Sequence, residues 1–327
     1  MRHIRTDRLW LITLFVALTT LAIGCGSSVE SDDPRPESER NTQPAELNSK
    51  VFVSAQEVQD LADDGATLLD ARTSEDYELG HFPGAIQVNA GKPWKDESGY
   101  LIAWQTNDGE LIGDVVEAQD KIRDLGIDAD RPVVIYGDAR SSGAGRLFWT
   151  LEYYGHGQVH FYSSGYENLK EELDFDEQTE APAVDTGDFV VAFRNSVLAT
   201  SEDVNAAIDR GDGILIDTRR EGEFEGTEDR GDPRQGYIPE ATWYYWENVF
   251  DEDDHLRSQA ELEAEFEDVG LLGDDALIIP YCQTGTRSAT IYAVLRWFGK
   301  DDAKNYDGSW VEWSRDEDLS IEQPQHE

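Results

Sequence analysis

Two tandem α/β domains, each a mostly parallel sheet with helices on both faces, are predicted by three features of this 327-residue chain. Short apolar runs alternate with helix-like segments, the pattern of parallel strands joined by helical crossovers. That order occurs twice, which identifies an internal repeat. Two domains also suit the length, and 39% apolar residues suffice for two cores despite the charge.

The repeat is seen by laying one half on the other. Ser54 and Ser201 each fall sixteen residues before an aspartate, at the head of a helix-like segment. The aspartates end apolar strands in Leu68-Leu-Asp70-Ala-Arg72 and Leu215-Ile-Asp217-Thr-Arg219. Gly80-His-Phe-Pro-Gly-Ala-Ile86 follows in the first half. Gly236-Tyr-Ile-Pro-Glu-Ala241 follows in the second, after a longer insert. A second apolar strand comes next, Val133–Tyr136 or Leu277–Ile279, then a loop and a helix ending at Tyr154-Gly155 or Phe298-Gly299. The domains are placed at residues 50–173 and 188–320, joined by an acidic linker at 174–187 that contains Pro182.

The chemistry concentrates in Tyr281-Cys282-Gln283-Thr284-Gly285-Thr286-Arg287-Ser288. A strand, a tight loop and a helix aim several backbone N–H groups and a positive helix end at one point. A thiol placed there ionises more readily than a free one, whose pKa is about 8.5. A lone cysteine is more often an inert core residue; the Gly-bearing loop and Arg287 favour a reactive one. Matching Tyr154-Gly155 to Phe298-Gly299 gives an offset of 144, which sets Asp138 in the place of the cysteine. A carboxylate cannot act as a nucleophilic thiol, so the first half is expected to be catalytically silent. Asp70, Arg72, Asp217 and Arg219 are expected to be structural, tying strand ends to loops.

YCQTGTRS, with Tyr306-Asp307-Gly308-Ser309-Trp310-Val-Glu312-Trp313 about twenty residues on, resembles the active loop and ending of tandem-domain rhodanese sulfurtransferases. The resemblance covers about residues 50 to 315. It implies a Cys282 persulfide that carries sulfur from thiosulfate to cyanide or a thiol acceptor. It further implies donor contacts from Gln283, Thr284, Gly285, Thr286 and Arg287, with no cofactor. Four residues separate Cys282 from Arg287, as in sulfurtransferases, where related phosphatases on this fold have five. Thiosulfate-specific members commonly have Arg-Lys after the cysteine and mercaptopyruvate-specific ones Gly-Ser; Gln283-Thr284 is neither. A donor-contacting arginine of animal members falls at Glu223, leaving Arg220 as the nearest substitute. A sulfur-relay module loaded by a partner protein, or a 3-mercaptopyruvate sulfurtransferase, is the alternative.

The N-terminus reads as an export signal. Arg2, Arg5 and Arg8 precede an apolar run from Leu9 to Ile23, then Gly24-Cys25. Leu21-Ala-Ile-Gly-Cys25 resembles a bacterial lipoprotein signal, which implies cleavage after residue 24, lipidation of Cys25 and attachment to the cell envelope. Residues 25–49 then form a polar tether, and the lipid is the only expected membrane contact. One thiol, Cys282, remains free, so no disulfide is expected; scattered histidines predict no metal site. The formal charge is −42, or −44 once Arg2, Arg5, Arg8 and Asp7 leave with the signal. Nucleic acid is excluded as a partner, because phosphate contacts need clustered Lys and Arg. Small sulfur anions and a thiol acceptor are the expected partners.

Overall fold

The computed structural model describes residues 33–88, 115–273 and 276–323. The expected signal, Cys25 and the start of the tether lie outside the described residues. From Arg35 onward the chain forms one compact unit. After a single turn, α1 (Glu37–Arg40), the first half runs α2 (Ala55–Asp63), β1 (Thr67–Asp70), α3 (Ser74–Leu79), β2 (Ile86–Gln87), α4 (Val115–Asp124), β3 (Val133–Tyr136), α5 (Ser142–Tyr153), β4 (Val159–Tyr162) and α6 (Tyr166–Leu173). The second half runs β5 (Leu198–Ala199), α7 (Ser201–Arg210), β6 (Gly213–Asp217), α8 (Glu221–Phe224), β7 (Thr242–Trp243), α9 (Gln259–Asp268), β8 (Leu277–Tyr281), α10 (Thr286–Trp297), β9 (Asn305–Tyr306) and α11 (Ser309–Trp313). Among the described residues the named strands pair in parallel, in the orders β2-β1-β3-β4, β7-β6-β8 and β5-β9.

Side-chain caps fix the starts of α2, α5 and α7. Ser54 accepts from the Glu57 N–H, and Glu57 reaches back to the Ser54 N–H, a reciprocal box that holds α2. In the second half Thr200, one residue before the expected Ser201, caps α7 through Asp203. Ser141 caps α5 by accepting from the Ala144 N–H.

Alternation along the strands divides the core into three. Leu69, Val133 and Ile135 of the first sheet and Ile216 and Ile278 of the second share one cluster with α5 and α10. Leu68, Val134 and Tyr136 face a cluster private to the first half; Leu215, Ile279 and Tyr281 face one private to the second. Helices α5 and α10 are buried on nearly every side, and they pack on each other. A Cβ on Gly145 would stand 3.1 Å from the Thr290 backbone nitrogen, so the two helices approach closely there. Two turns further along α5, Glu152 accepts from the Tyr292 hydroxyl (2.6 Å) and pairs with Arg296 (3.4 Å) across the junction. The acidic segment expected to link the domains is held against the first half, where His81 and Gln178 exchange backbone bonds of 2.8 and 3.0 Å.

Candidate active site

The repeat extends to individual atoms. Arg219 Nε and Nη2 bond Asp217 at 3.0 and 2.6 Å, and Nη2 also bonds the Gly236 carbonyl at 2.7 Å. Arg72 makes the same bonds to Asp70 and to Gly80 O, at 3.0, 2.6 and 2.7 Å. Tyr281 donates to Asp217 at 2.7 Å and accepts from Ile238 N–H; Tyr136 donates to Asp70 at 2.8 Å and accepts from Phe82 N–H. These buried pairs tie each strand end to the following loop, the geometry of a structural rather than a reacting group.

Tyr136 therefore matches Tyr281, an offset of 145, and the residue in the place of Cys282 is Gly137. The expectation that Asp138 stands there is corrected. The Gly137 carbonyl accepts from Tyr166 N–H just as the Cys282 carbonyl accepts from Trp310 N–H, at 2.9 and 3.0 Å. The strand-to-helix loop spans 137–141 in the first half and 282–285 in the second. One inserted residue explains why helix ends align at 144 while strand ends align at 145. Glycine has no side chain at all, so the first half still lacks a sulfur carrier.

In the second half β8 delivers Cys282 to the loop, and α10 begins at Thr286. Cys282 is fully buried. The Thr284 N–H points at Sγ from 3.4 Å. Burial pushes the Cys282 thiol up, but Arg287 and the Ser288 and Thr284 donors outweigh it, so the thiol lies below its ordinary value. Gly285 turns the loop in the left-handed region, at φ +70°. The Ser309 hydroxyl accepts from both loop ends, Cys282 N–H at 3.2 Å and Gly285 N–H at 2.9 Å, while donating to Tyr306 O at 2.7 Å.

Other expected donor contacts are already engaged. Arg287 is locked by Glu223 in a two-pronged pair of 2.6 and 2.9 Å. Gln283 Nε2 bonds Asp232 at 3.1 Å, and the Thr286 hydroxyl leans on the Thr284 carbonyl at 3.5 Å. Arg220 is exposed; it pairs with Glu228 at 3.3 Å, and its own N–H donates to Glu223 at 3.2 Å. Ser309, Glu223 and Asp232 were not singled out as site residues from sequence. The fixed spacing of the YDGSW ending carried a signal for Ser309, and the family's arginine position one for Glu223; nothing in the sequence marked Asp232. Among the described residues no cluster of three His, Cys, Asp or Glu side chains could hold a metal, and no helix is long and apolar enough to cross a membrane.

A depressed cysteine in a strand–loop–helix cradle, set beside a thiol-free copy of the same unit, defines a class of proteins that work through one reactive sulfur. The chain belongs to the rhodanese-like domain family, which matches residues 54–172 and 200–316. It is 28% identical to a thiosulfate sulfurtransferase of Corynebacterium glutamicum, over 89% of this chain and 94% of that one. It is 32% identical to the sulfur carrier protein TtuD of Thermus thermophilus, over 72% and 83%. The crystal structure of the 3-mercaptopyruvate sulfotransferase SseA from Escherichia coli superposes with a TM-score of 0.65 at 25% identity, covering 80% of this chain and 99% of that one.

Proposed function

We propose that this chain is a sulfurtransferase that carries sulfane sulfur on Cys282, with thiosulfate as donor and cyanide or a cellular thiol as acceptor. The observation that carries the reading is the Cys282 cradle. A buried thiol below its ordinary value meets the Thr284 N–H and the start of a twelve-residue helix. The thiolate attacks the outer sulfur of thiosulfate; a sulfur–sulfur bond forms, the donor's own breaks, and sulfite leaves with the electron pair. Loop N–H groups stabilise the persulfide anion. The acceptor then attacks the terminal sulfur, and the Cys282 thiolate departs as the leaving group. The names of the relatives in Corynebacterium and Thermus support sulfur chemistry of this kind.

Incubating the chain with thiosulfate is expected to add the mass of one sulfur atom, removable by cyanide. Cys282→Ser is expected to lose both adduct and turnover; an adduct or full activity in that variant overturns the mechanism. Thiocyanate formation measured with thiosulfate and with 3-mercaptopyruvate identifies the donor.

The Glu223 clamp on Arg287 favours a second reading, in which a partner protein loads Cys282 and no free anion is the donor. Persulfide formed from a protein donor, with neither small donor turning over, selects it. We further propose that Cys25 is lipidated and holds the enzyme on the cell envelope; Cys25→Ser is then expected to move the protein from the membrane fraction to the soluble one.

A further inference from the structure

We propose that Arg146, carried by the thiol-free half, is a positioning residue for sulfur transfer at Cys282, through its grip on the Gly285 peptide. This rests on the reading of Cys282 as the reacting thiol. Arg146 lies on α5 and is fully buried. Its Nη1 donates to the Gly285 carbonyl at 3.2 Å across the domain junction. The same nitrogen pairs with the Asp307 carboxylate, and the guanidinium carbon lies 4.5 Å from the Trp149 ring centre.

Gly285 is the pivot of the active loop. Its N–H is fixed by Ser309, and its carbonyl is shared between Arg146 and Asn305, the latter at 3.0 Å. A Cβ there would stand 2.8 Å from Arg146 Nη1 and equally near the Asp307 carbonyl, so the cradle leaves room for glycine only. A peptide is planar, so holding the Gly285 oxygen also fixes the direction of the Thr286 N–H that opens α10. The loop that delivers Thr284 N–H to Sγ is thereby clamped from behind by the other half.

Packing alone does not account for this cation. Among the described residues its Nε and Nη2 have no hydrogen-bond partner, and the Asp307 side chain is only 12% exposed. A buried pair with unmet donors is a weak source of stability, and apolar replacements of such pairs are often neutral or stabilising. Fixing the loop at Gly285 while neutralising the Asp307 carboxylate next to it is what a guanidinium supplies and a methionine cannot. The halves are thus complementary: one carries the sulfur and the other sets the loop.

The test uses the full chain as Arg146→Met, Arg146→Lys and the charge-neutral double variant Arg146→Met/Asp307→Asn. Iodoacetamide alkylation of Cys282 is followed against pH by peptide mapping, together with sulfur transfer and melting. The expected result is an alkylation profile moved to higher pH in both Met variants, with kcat down about tenfold or more and KM little changed. Arg146→Lys is expected to recover part of both. The double variant leaves no uncompensated charge and is expected to melt near the wild type. Wild-type alkylation and turnover in a folded Met variant, single or double, overturn the proposal. So does a loss of turnover with an unmoved alkylation profile. Should the wild type transfer no sulfur from any donor, the function fails, while alkylation still decides the role of Arg146.

Discussion

An incoming anion meets Arg287 only after Glu223 has met it. The pair is two-pronged, and the Glu223 side chain is 1% exposed against 17% for Arg287. Burial raises the Glu223 carboxyl, but Arg287 outweighs it, so Glu223 stays ionised below the usual carboxylate range. Its contribution to stability is complete above the ordinary carboxylate pKa and is lost as pH falls through the lowered folded value. The Glu223→Gln variant releases the Arg287 charge to the thiol and the donor. The expected outcome is a roughly threefold to tenfold lower KM for thiosulfate and a thiol depressed further, with a lower melting temperature from the broken pair. An unchanged KM would show that donor binding rests on loop N–H groups alone. Sequence placed Cys282 and Arg287 in one loop because they are five positions apart. It could not pair Arg287 with Glu223, 64 residues away, nor bring Arg146 to Gly285, 139 residues away.

Strand–loop–helix units were legible because their signals are local: apolar runs, Gly299 beyond a helix end, an aspartate closing each strand. The offset between halves was not fully legible, since an alignment anchored on helix ends cannot see one residue added at the other end of the loop. The junction between α5 and β4 shows a similar limit, for nothing in Tyr154-Gly-His-Gly157 announces that its histidine is buried. His156 is 1% exposed; its Nδ1 accepts the Gln158 N–H at 3.2 Å while Nε2 meets the Asp128 carbonyl at 3.2 Å. An accepting Nδ1 must be unprotonated, and burial, helped by His160, pulls the pKa down to about 4 against carbonyl bonds that raise it. A free histidine titrates near 6.5, so between that pH and about 4 the unfolded chain gains a proton the folded one refuses. Stability assigned to this group is intact above 6.5 and falls by about 3 kcal/mol across the window. Urea unfolding of wild type and His156→Gln at several pH values isolates it from the carboxylates. The stability gap between the two is expected to narrow by about that amount on acidification. A gap independent of pH would place the proton elsewhere.

Across the whole molecule the charge of −42 sets a field that opposes the chemistry of one loop. Thiosulfate is a dianion and is repelled at long range, and with Arg287 paired to Glu223 the attraction is confined to contact with the loop N–H groups. The Debye length is about 30 Å at 0.01 M salt and about 3 Å at 1 M. Added salt therefore erases the distant repulsion first and leaves the short contacts largely intact. The same salt relieves carboxylate self-repulsion within a unit whose halves share a core, so the fold gains as well. Both kcat/KM for thiosulfate and the melting temperature are expected to rise between about 0.01 and 0.5 M NaCl. A neutral or basic sulfurtransferase would instead lose donor affinity over that range as its attraction is screened. Repeating the series with a second monovalent salt at matched ionic strength separates charge from ion-specific effects. A steady fall in kcat/KM with both salts would mean that local attraction outweighs the field of the whole chain, and that the Glu223 clamp on Arg287 opens when the donor arrives.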